Sequence, residues 1–298
     1  MTKYNMSSKQ SDGFLHNKIC LITGAAGSIG SALARKIITQ KPRKLILLDN
    51  NESDLFNRWE EIKKAEPIVA DIRDELTIDM LFEKWKPEYV FHAAAYKHVV
   101  MMEKYPLEAI KTNIGGTQNI VQSSIKYGIK KFIFISTDKA VNPESVMGLS
   151  KNIGEHLCEF LDYFRKYTDT RFIIVRFGNV LASRGSVVEI FKQQIRENKP
   201  LTITDKKMKR FVMGIPEAAE LVLKAAQLGR GGERFIFDMG KQMYVEDLAK
   251  MMIRLSGKDI PLQYIGRKQG EKFEEQLMTK VEKKNAIKRG HLYVIKKK

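Results

Sequence analysis

The sequence predicts an α/β chain: a doubly wound parallel sheet, followed by a smaller C-terminal lobe. Three observations carry this. Apolar strands alternate with amphipathic helices from residue 18 to about 176, which is the rhythm of βαβ units. The strands are continuous apolar runs, as expected of a sheet covered on both faces. A glycine-rich turn joins the first strand to the first helix, where such sheets take up ligands.

The elements follow in order. Residues 1–16 are mostly polar, with Phe14-Leu15 their only apolar pair, and read as a disordered leader. Strand 18–23 leads through the glycine turn into an amphipathic helix ending near Gln40. Strand 44–49 ends in a carboxylate, Asp49, and is followed by helix 52–65 and strand 67–71. Helix 75–85, strand 89–92, a long helix over about 107–127 and strand 131–136 continue the alternation. A helix from 147 and strand 171–176 complete it. From about 179 the segments shorten, with helices near 187–197, 216–228 and 245–256 and a strand near 201–204. This divides the chain into 17–178, carrying the glycine turn, and 179–298, a lobe over the sheet's carboxyl edge. A strand near 234–238 is expected to return to the main sheet.

Composition narrows the function classes. With 298 residues, 43% of them apolar and 29% charged, the chain can bury a full core and is ordinary for a soluble globular protein. Its two cysteines, Cys20 and Cys158, have no metal-like spacing and suggest a reduced, cytoplasmic setting without disulfides. No metal is expected. No secretory segment opens the chain, and no apolar run approaches the roughly 18 residues of a membrane span. The net charge of +17 is scattered except in the tail, at Lys283-Lys284, Lys288-Arg289 and Lys296-Lys297-Lys298. It reads as a solvated lysine-rich surface with at most a weak attraction to acidic membrane. No nucleic-acid motif accompanies it.

The glycine turn is Gly24-Ala-Ala-Gly27-Ser28-Ile29-Gly30. Its first glycine permits the tight turn, the second lets backbone approach a pyrophosphate, and the third lets helix and strand pack closely. The helix N-terminus then faces the phosphates. Asp49 follows Gly30 by 19 residues, where a carboxylate accepts both hydroxyls of an adenosine ribose and repels a 2′-phosphate. No arginine follows in residues 50–53, so the expected cofactor is NAD rather than NADP. Asp71 and Ile72, after the third strand, are placed to flank the adenine.

Residues 134–151, FISTDKAVNPESVMGLSK, are the stretch the chain is expected to serve. Thr137, Asp138 and Lys139 put a hydroxyl, a carboxylate and an amine at the carboxyl end of a buried strand. Met147 and Lys151 lie four residues apart, on one helix face. Such a group suits proton chemistry; the same residues also suit a polar loop capping a helix. His92 ends an apolar strand and reads as a core histidine. Met101 and Met102 suit a cavity lining, with core filling the preferred reading.

Together these motifs resemble the extended short-chain dehydrogenase/reductases. The match narrows to the nucleotide-sugar 4,6-dehydratases of the capsular polysaccharide biosynthesis protein D type. TGAAGSIGS at 23–31, HAAAYKHVVMME at 92–103, KTNIGGTQN at 111–119 and STDKAVNPESVMGLSK at 136–151 carry it. RFGNVLASRGSV at 176–187, LTITDKKMKRFVM at 201–213 and GGERFIFDMG at 231–240 extend it. The resemblance implies a Rossmann sheet of about seven strands with a C-terminal substrate-binding lobe. A homo-oligomer is the expected assembly. It implies conversion of UDP-N-acetylglucosamine to its 4-keto-6-deoxy sugar, for surface polysaccharide or glycan synthesis. Bound NAD takes hydride from carbon 4, water leaves across carbons 5 and 6, and the hydride returns to carbon 6.

The implied roles are these. Asp138 protonates the leaving 6-hydroxyl, if burial raises its pKa. Lys139 takes the carbon 5 proton, if Lys151 and the nicotinamide lower its pKa. Thr137 binds the 4-oxygen, and Lys151 binds the nicotinamide ribose. Arg210 meets the diphosphate, Asn179 the diphosphate or nearby backbone, Glu271 the uridine ribose, and Lys97 the sugar. Two positions depart from the pattern. Met147 stands where most of the superfamily has a proton-accepting tyrosine, and Lys268 where the lobe motif has arginine. Three further readings therefore stay open: a nucleotide-sugar 4-epimerase, a non-catalytic NAD-binding protein, and a dehydratase that also inverts carbon 5. The residues alone leave uridine and guanosine both open.

Overall fold

A computed structural model of the chain describes residues 13–163 and 168–296. The first part runs β1 (Ile19–Thr23), α1 (Ser28–Ile38), β2 (Lys44–Asp49), α2 (Glu52–Glu61), β3 (Glu66–Val69), α3 (Glu75–Trp85) and β4 (Tyr89–His92). It continues with α4 (Val99–Lys104), α5 (Pro106–Ala109), α6 (Thr117–Lys126), β5 (Lys131–Thr137), α7 (Val146–Tyr163) and β6 (Arg171–Phe177). Beyond them come β7 (Asn179–Val180), α8 (Val187–Arg196), β8 (Leu201–Ile203), β9 (Lys209–Arg210), β10 (Val212–Met213) and α9 (Ile215–Leu228). The last elements are β11 (Glu233–Phe237), β12 (Met243–Tyr244), α10 (Val245–Ser256), β13 (Leu262–Tyr264), α11 (Lys280–Asn285), β14 (Ile287–Arg289) and β15 (Leu292–Lys296).

The main sheet has the order β14-β15-β11-β6-β5-β4-β1-β2-β3. The seven strands from β11 to β3 are parallel, as the sequence predicts for the doubly wound sheet. β14 and β15 add an antiparallel hairpin at the β11 edge, built from a tail that reads in sequence only as a lysine cluster. Strand order reverses between β1 and β4, and a crevice opens there at the strands' carboxyl ends.

Both faces of the sheet are covered, which explains the continuous apolar runs. Side chains alternate across a strand, so Cys20 and Ile22 join the core on one face with Leu33, Ile37 and Val222. Leu21 joins the other with Ile78, Phe82, Ile120 and Cys158. A separate small core of Phe191, Leu201, Ile203, Ala249 and Ile260 holds α8, α10, β8 and β13 together.

Two expectations are corrected. Of the predicted leader, residues 1–12 lie outside the described residues. Gly13–His16, however, form a turn, Leu15 is fully buried, and Phe14 packs edge-on against Tyr89. The long helix over 107–127 is broken by a π-helical segment, Ile110–Gly116. Such widened turns often mark functional sites. Here Asn113 is buried, its amide bonds both backbone groups of Tyr96, and it donates to Ser150 Oγ. The loop after β4 is thereby tied to α7. Among the described residues, no helix is long and apolar enough to cross a membrane.

Candidate functional site

The crevice is a cavity of about 960 Å³, lined from the glycine turn at one end to the segment around Glu271 at the other. At the first end Gly24 has φ +67°, and a Cβ there would lie 2.6 Å from the Ala94 backbone nitrogen. A Cβ on Gly30 would lie 2.1 Å from the Gly24 carbonyl oxygen, so only glycine lets α1 approach β1 this closely. Gly27 caps α1 without a side-chain acceptor, and no acidic residue lies in the first turn. The N-terminal N–H groups and the positive end of the helix dipole therefore face the cavity, a setting for phosphate.

Asp49 ends β2 at the same place. Its two oxygens accept the Ala26 and Asn51 N–H groups, each at 3.0 Å, which fixes the carboxylate toward the cavity. Asp71 and Ile72 also line it. Burial opposes ionisation of Asp71, but hydrogen bonds from Arg73 outweigh it and hold the carboxyl below the usual range. The fold brings two arginines here that sequence reading missed. Arg73 pairs with Asp71 and Glu108. Arg184 pairs with Asp54, and its Nη2 donates to the Ala26 carbonyl at 3.1 Å. Its backbone N–H meets Ser28 Oγ at 2.9 Å. Each guanidinium is thus already matched to a carboxylate.

The triplet lies midway. Thr137 Oγ1 and Lys139 Nζ both donate to Asp138 Oδ1 at 2.9 Å, and Lys139 also donates to Asn179 Oδ1 at 2.9 Å. Thr137, Lys139 and Asn179 line the cavity; Asp138 does not. Asp138 is fully buried behind Lys139, and its Oδ2 has no hydrogen-bond partner. Asp138, expected to protonate the leaving 6-hydroxyl, is therefore screened from the cavity by Lys139 and Thr137. The second correction concerns Lys139. Burial works against its charge, but Asp138 and Glu275 outweigh burial and hold Lys139 above the ordinary lysine range. The expected lowering is absent: the Asp138 carboxylate at 2.9 Å is the larger opposing influence, and Glu275 Oε1 adds to it at 3.4 Å. Glu275 sits 136 residues away in a polar stretch, and no spacing signal pointed to it.

Lys151 and Met147 are both buried on α7 and both line the cavity. Burial brings Lys151 down to about 8, against the opposing pull of Glu155. Its Nζ sits 4.2 Å over the Phe134 ring. Met147 packs with Met102 and Ala109 in a small apolar cluster, whereas Met101 is half exposed and lines the cavity. His92 is a core residue: its ring nitrogens meet Thr23 and Thr117 hydroxyls, and burial drives its pKa to about 3.

Arg210 and Glu271 also line the cavity, as does Lys97, which sits beside Ser183. Arg210 donates to the carbonyls of Lys209 and Phe273, and no carboxylate of the described residues pairs with it. Glu271 accepts the Lys268 N–H at 3.1 Å. Lys97 Nζ reaches Ser183 Oγ at 3.4 Å, and burial with Arg184 nearby lowers its pKa. Asn179, expected to meet the diphosphate or nearby backbone, lines the cavity and has its amide oxygen on Lys139.

Behind the triplet lies a buried ionic cluster. Arg176 bonds both oxygens of Glu155 and reaches Glu282 of α11 at 3.0 Å. Arg234 joins Glu155, Glu159 and Glu282. Ser136 Oγ, next to Thr137, donates to Glu155 at 2.5 Å. The cluster ties β5, β6, β11, α7 and α11 together directly beneath the site.

Comparison with known proteins agrees with this fold. Over residues 20–297 the chain matches the family described as polysaccharide biosynthesis protein. It is 45% identical over 278 residues to the capsular polysaccharide biosynthesis protein CapD of Staphylococcus aureus, across 90% of this chain and 46% of that protein. The chain thus spans about half the length of the first curated relatives it matches. It is 37% identical to a UDP-glucose 4-epimerase of Rickettsia felis, across 94% of this chain and 83% of that one. The X-ray structure of Pen from Bacillus thuringiensis has a TM-score of 0.91 at 35% identity, across 95% of this chain and 88% of that chain. The chain belongs to the polysaccharide biosynthesis protein family.

Proposed function

We propose that the chain is a nucleotide-sugar-modifying enzyme, specifically an NAD-using 4,6-dehydratase acting on UDP-N-acetylglucosamine. The observation that carries this is Thr137, Lys139 and Lys151 in one cavity with the glycine turn and Asp49, with Asp138 buried directly behind Lys139. The residues present fit NAD. The open N-terminus of α1 suits its pyrophosphate, and the fixed carboxylate of Asp49 suits an unphosphorylated adenosine ribose. Arg73 and Arg184, both already paired, do not supply a free cation for a 2′-phosphate. Bound NAD would supply reversible hydride transfer at carbon 4 and carbon 6.

The chain's own residues handle the protons. With Met147 unable to accept one, Lys151 is the buried amine whose lowered pKa suits uptake of the 4-hydroxyl proton, with Thr137 holding the oxygen. Lys139, held charged at rest, stands between the cavity and Asp138. It can pass its proton to the departing 6-hydroxyl and then take the proton leaving carbon 5, which returns it to its resting charge beside Asp138. Arg210, without a carboxylate of its own, suits the diphosphate, and Glu271 the uridine ribose.

The name of the Rickettsia felis relative favours a second reading, a UDP-glucose 4-epimerase. Mass spectrometry after incubation with UDP-N-acetylglucosamine and with UDP-glucose separates the two. The dehydratase product is lighter by one water, whereas an epimer has unchanged mass.

A further inference from the structure

We propose that Glu275 is a positioning residue for Lys139: with Asp138 it brackets the ammonium between two buried carboxylates at the cavity wall. Glu275 belongs to the segment between β13 and α11, and its side chain is 3% exposed. Its Oε1 faces Lys139 Nζ at 3.4 Å, and its Oε2 is buried with no hydrogen-bond partner. The Glu275 carbonyl accepts Gln242 Nε2 at 2.5 Å, so the backbone that presents the carboxylate is anchored. A buried carboxylate needs a compensating cation, and among the described residues Lys139 is the cation that Glu275 meets.

The other groups facing Lys139 make the bracket asymmetric. Asp138 reaches it from the turn after β5 at 2.9 Å, Asn179 from β7, and the Arg210 charge from β9 opposes the carboxylates. The consequence is electrostatic. Two anions and one nearby cation favour the protonated amine over the free base, and the direction found for Lys139 agrees. When Glu275 loses its charge, Lys139 releases its proton more readily. The lobe segment carrying Glu275 thereby sets the protonation state of a residue on the main sheet.

This deepens the proposed function and rests on it only for its catalytic consequence. Competitive labelling with acetic anhydride, read by mass spectrometry of the Lys139 peptide across pH, tests it on the purified full chain without any turnover. The midpoint of the labelling curve, rather than its plateau, reports the amine and is insensitive to a change in access. In E275Q the midpoint should fall by about one to three pH units, the usual effect of an opposite charge at this range. E275D, which keeps the charge, should stay close to wild type. An unchanged midpoint in E275Q overturns the proposal. Should E275Q not fold, D138N decides: with Glu275 the one carboxylate of the described residues left facing Lys139, a midpoint still at or above the ordinary 10.5 supports the bracket, and one below it overturns it. In the dehydratase assay, the pH limb belonging to Lys139 should move down by the same amount in E275Q. A purely structural glutamate would lower the rate at every pH and move no limb.

Discussion

Replacing Lys151 with methionine should make the protein more stable and inactive. Lys151 is 6% exposed on α7, and burial brings its pKa from 10.5 to about 8. A lysine whose folded pKa lies below its unfolded value destabilises the fold. That cost is complete below pH 8, shrinks as pH rises, and is gone near 10.5. At roughly 1.4 kcal/mol per pH unit, the fall amounts to about 3 kcal/mol at neutral pH. Methionine keeps most of the stem's volume and can keep the contact with Phe134 through its sulfur. Urea unfolding of wild type and K151M at pH 7 and at steps to pH 10.5 measures the difference. The variant should be up to about 3 kcal/mol more stable at pH 7, and the gap should close as pH rises. A variant no more stable at pH 7, or a gap independent of pH, refutes the assignment of a strained buried amine to this position.

Three further outcomes follow from the same geometry. Met147→Leu preserves volume in the cluster with Met102 and Ala109. It should cost under about 1.5 kcal/mol and keep activity within about tenfold, whereas Asp138→Asn and Lys139→Ala should lose about two to four orders of magnitude; turnover on the three variants together checks this. Arg210→Ala should raise the dissociation constant for UDP-sugar by about 10–200-fold, the worth of a charge-assisted contact, as read by calorimetry. Arg176→Met leaves the buried Glu155 with Arg234 as its remaining guanidinium and should destabilise the fold by up to about 3–5 kcal/mol, as read by denaturant unfolding.

The parallel sheet was legible because its strands are apolar on both faces and separated by helices of the right length. β5 shows the point: Phe132 and Phe134 enter one core and Ile133 and Ile135 the other, so the run is unbroken in sequence. β14 and β15 were not legible. β14 is exposed along its length, and lysines at an edge strand read as a charged tail. Leu15 was hidden because a single buried leucine has no periodicity. At the site, everything contributed by strand ends and the glycine turn was marked by local pattern. Glu275, Arg184 and the Glu155–Arg176 cluster were not, because their meaning comes only from partners far along the chain. The charge state of Lys139 was misread because Asp138 beside it and Glu275, brought in from far along the chain, outweigh burial.

The central claim is that one bound cofactor moves a hydride from carbon 4 to carbon 6 while water leaves the sugar. UDP-N-acetylglucosamine deuterated at carbon 4 tests it most directly, with the product read by NMR and mass spectrometry. The account predicts a product one water lighter that carries the deuterium at carbon 6, formed without added oxidant. Deuterium still at carbon 4 in a product of unchanged mass would contradict it and leave the 4-epimerase reading standing.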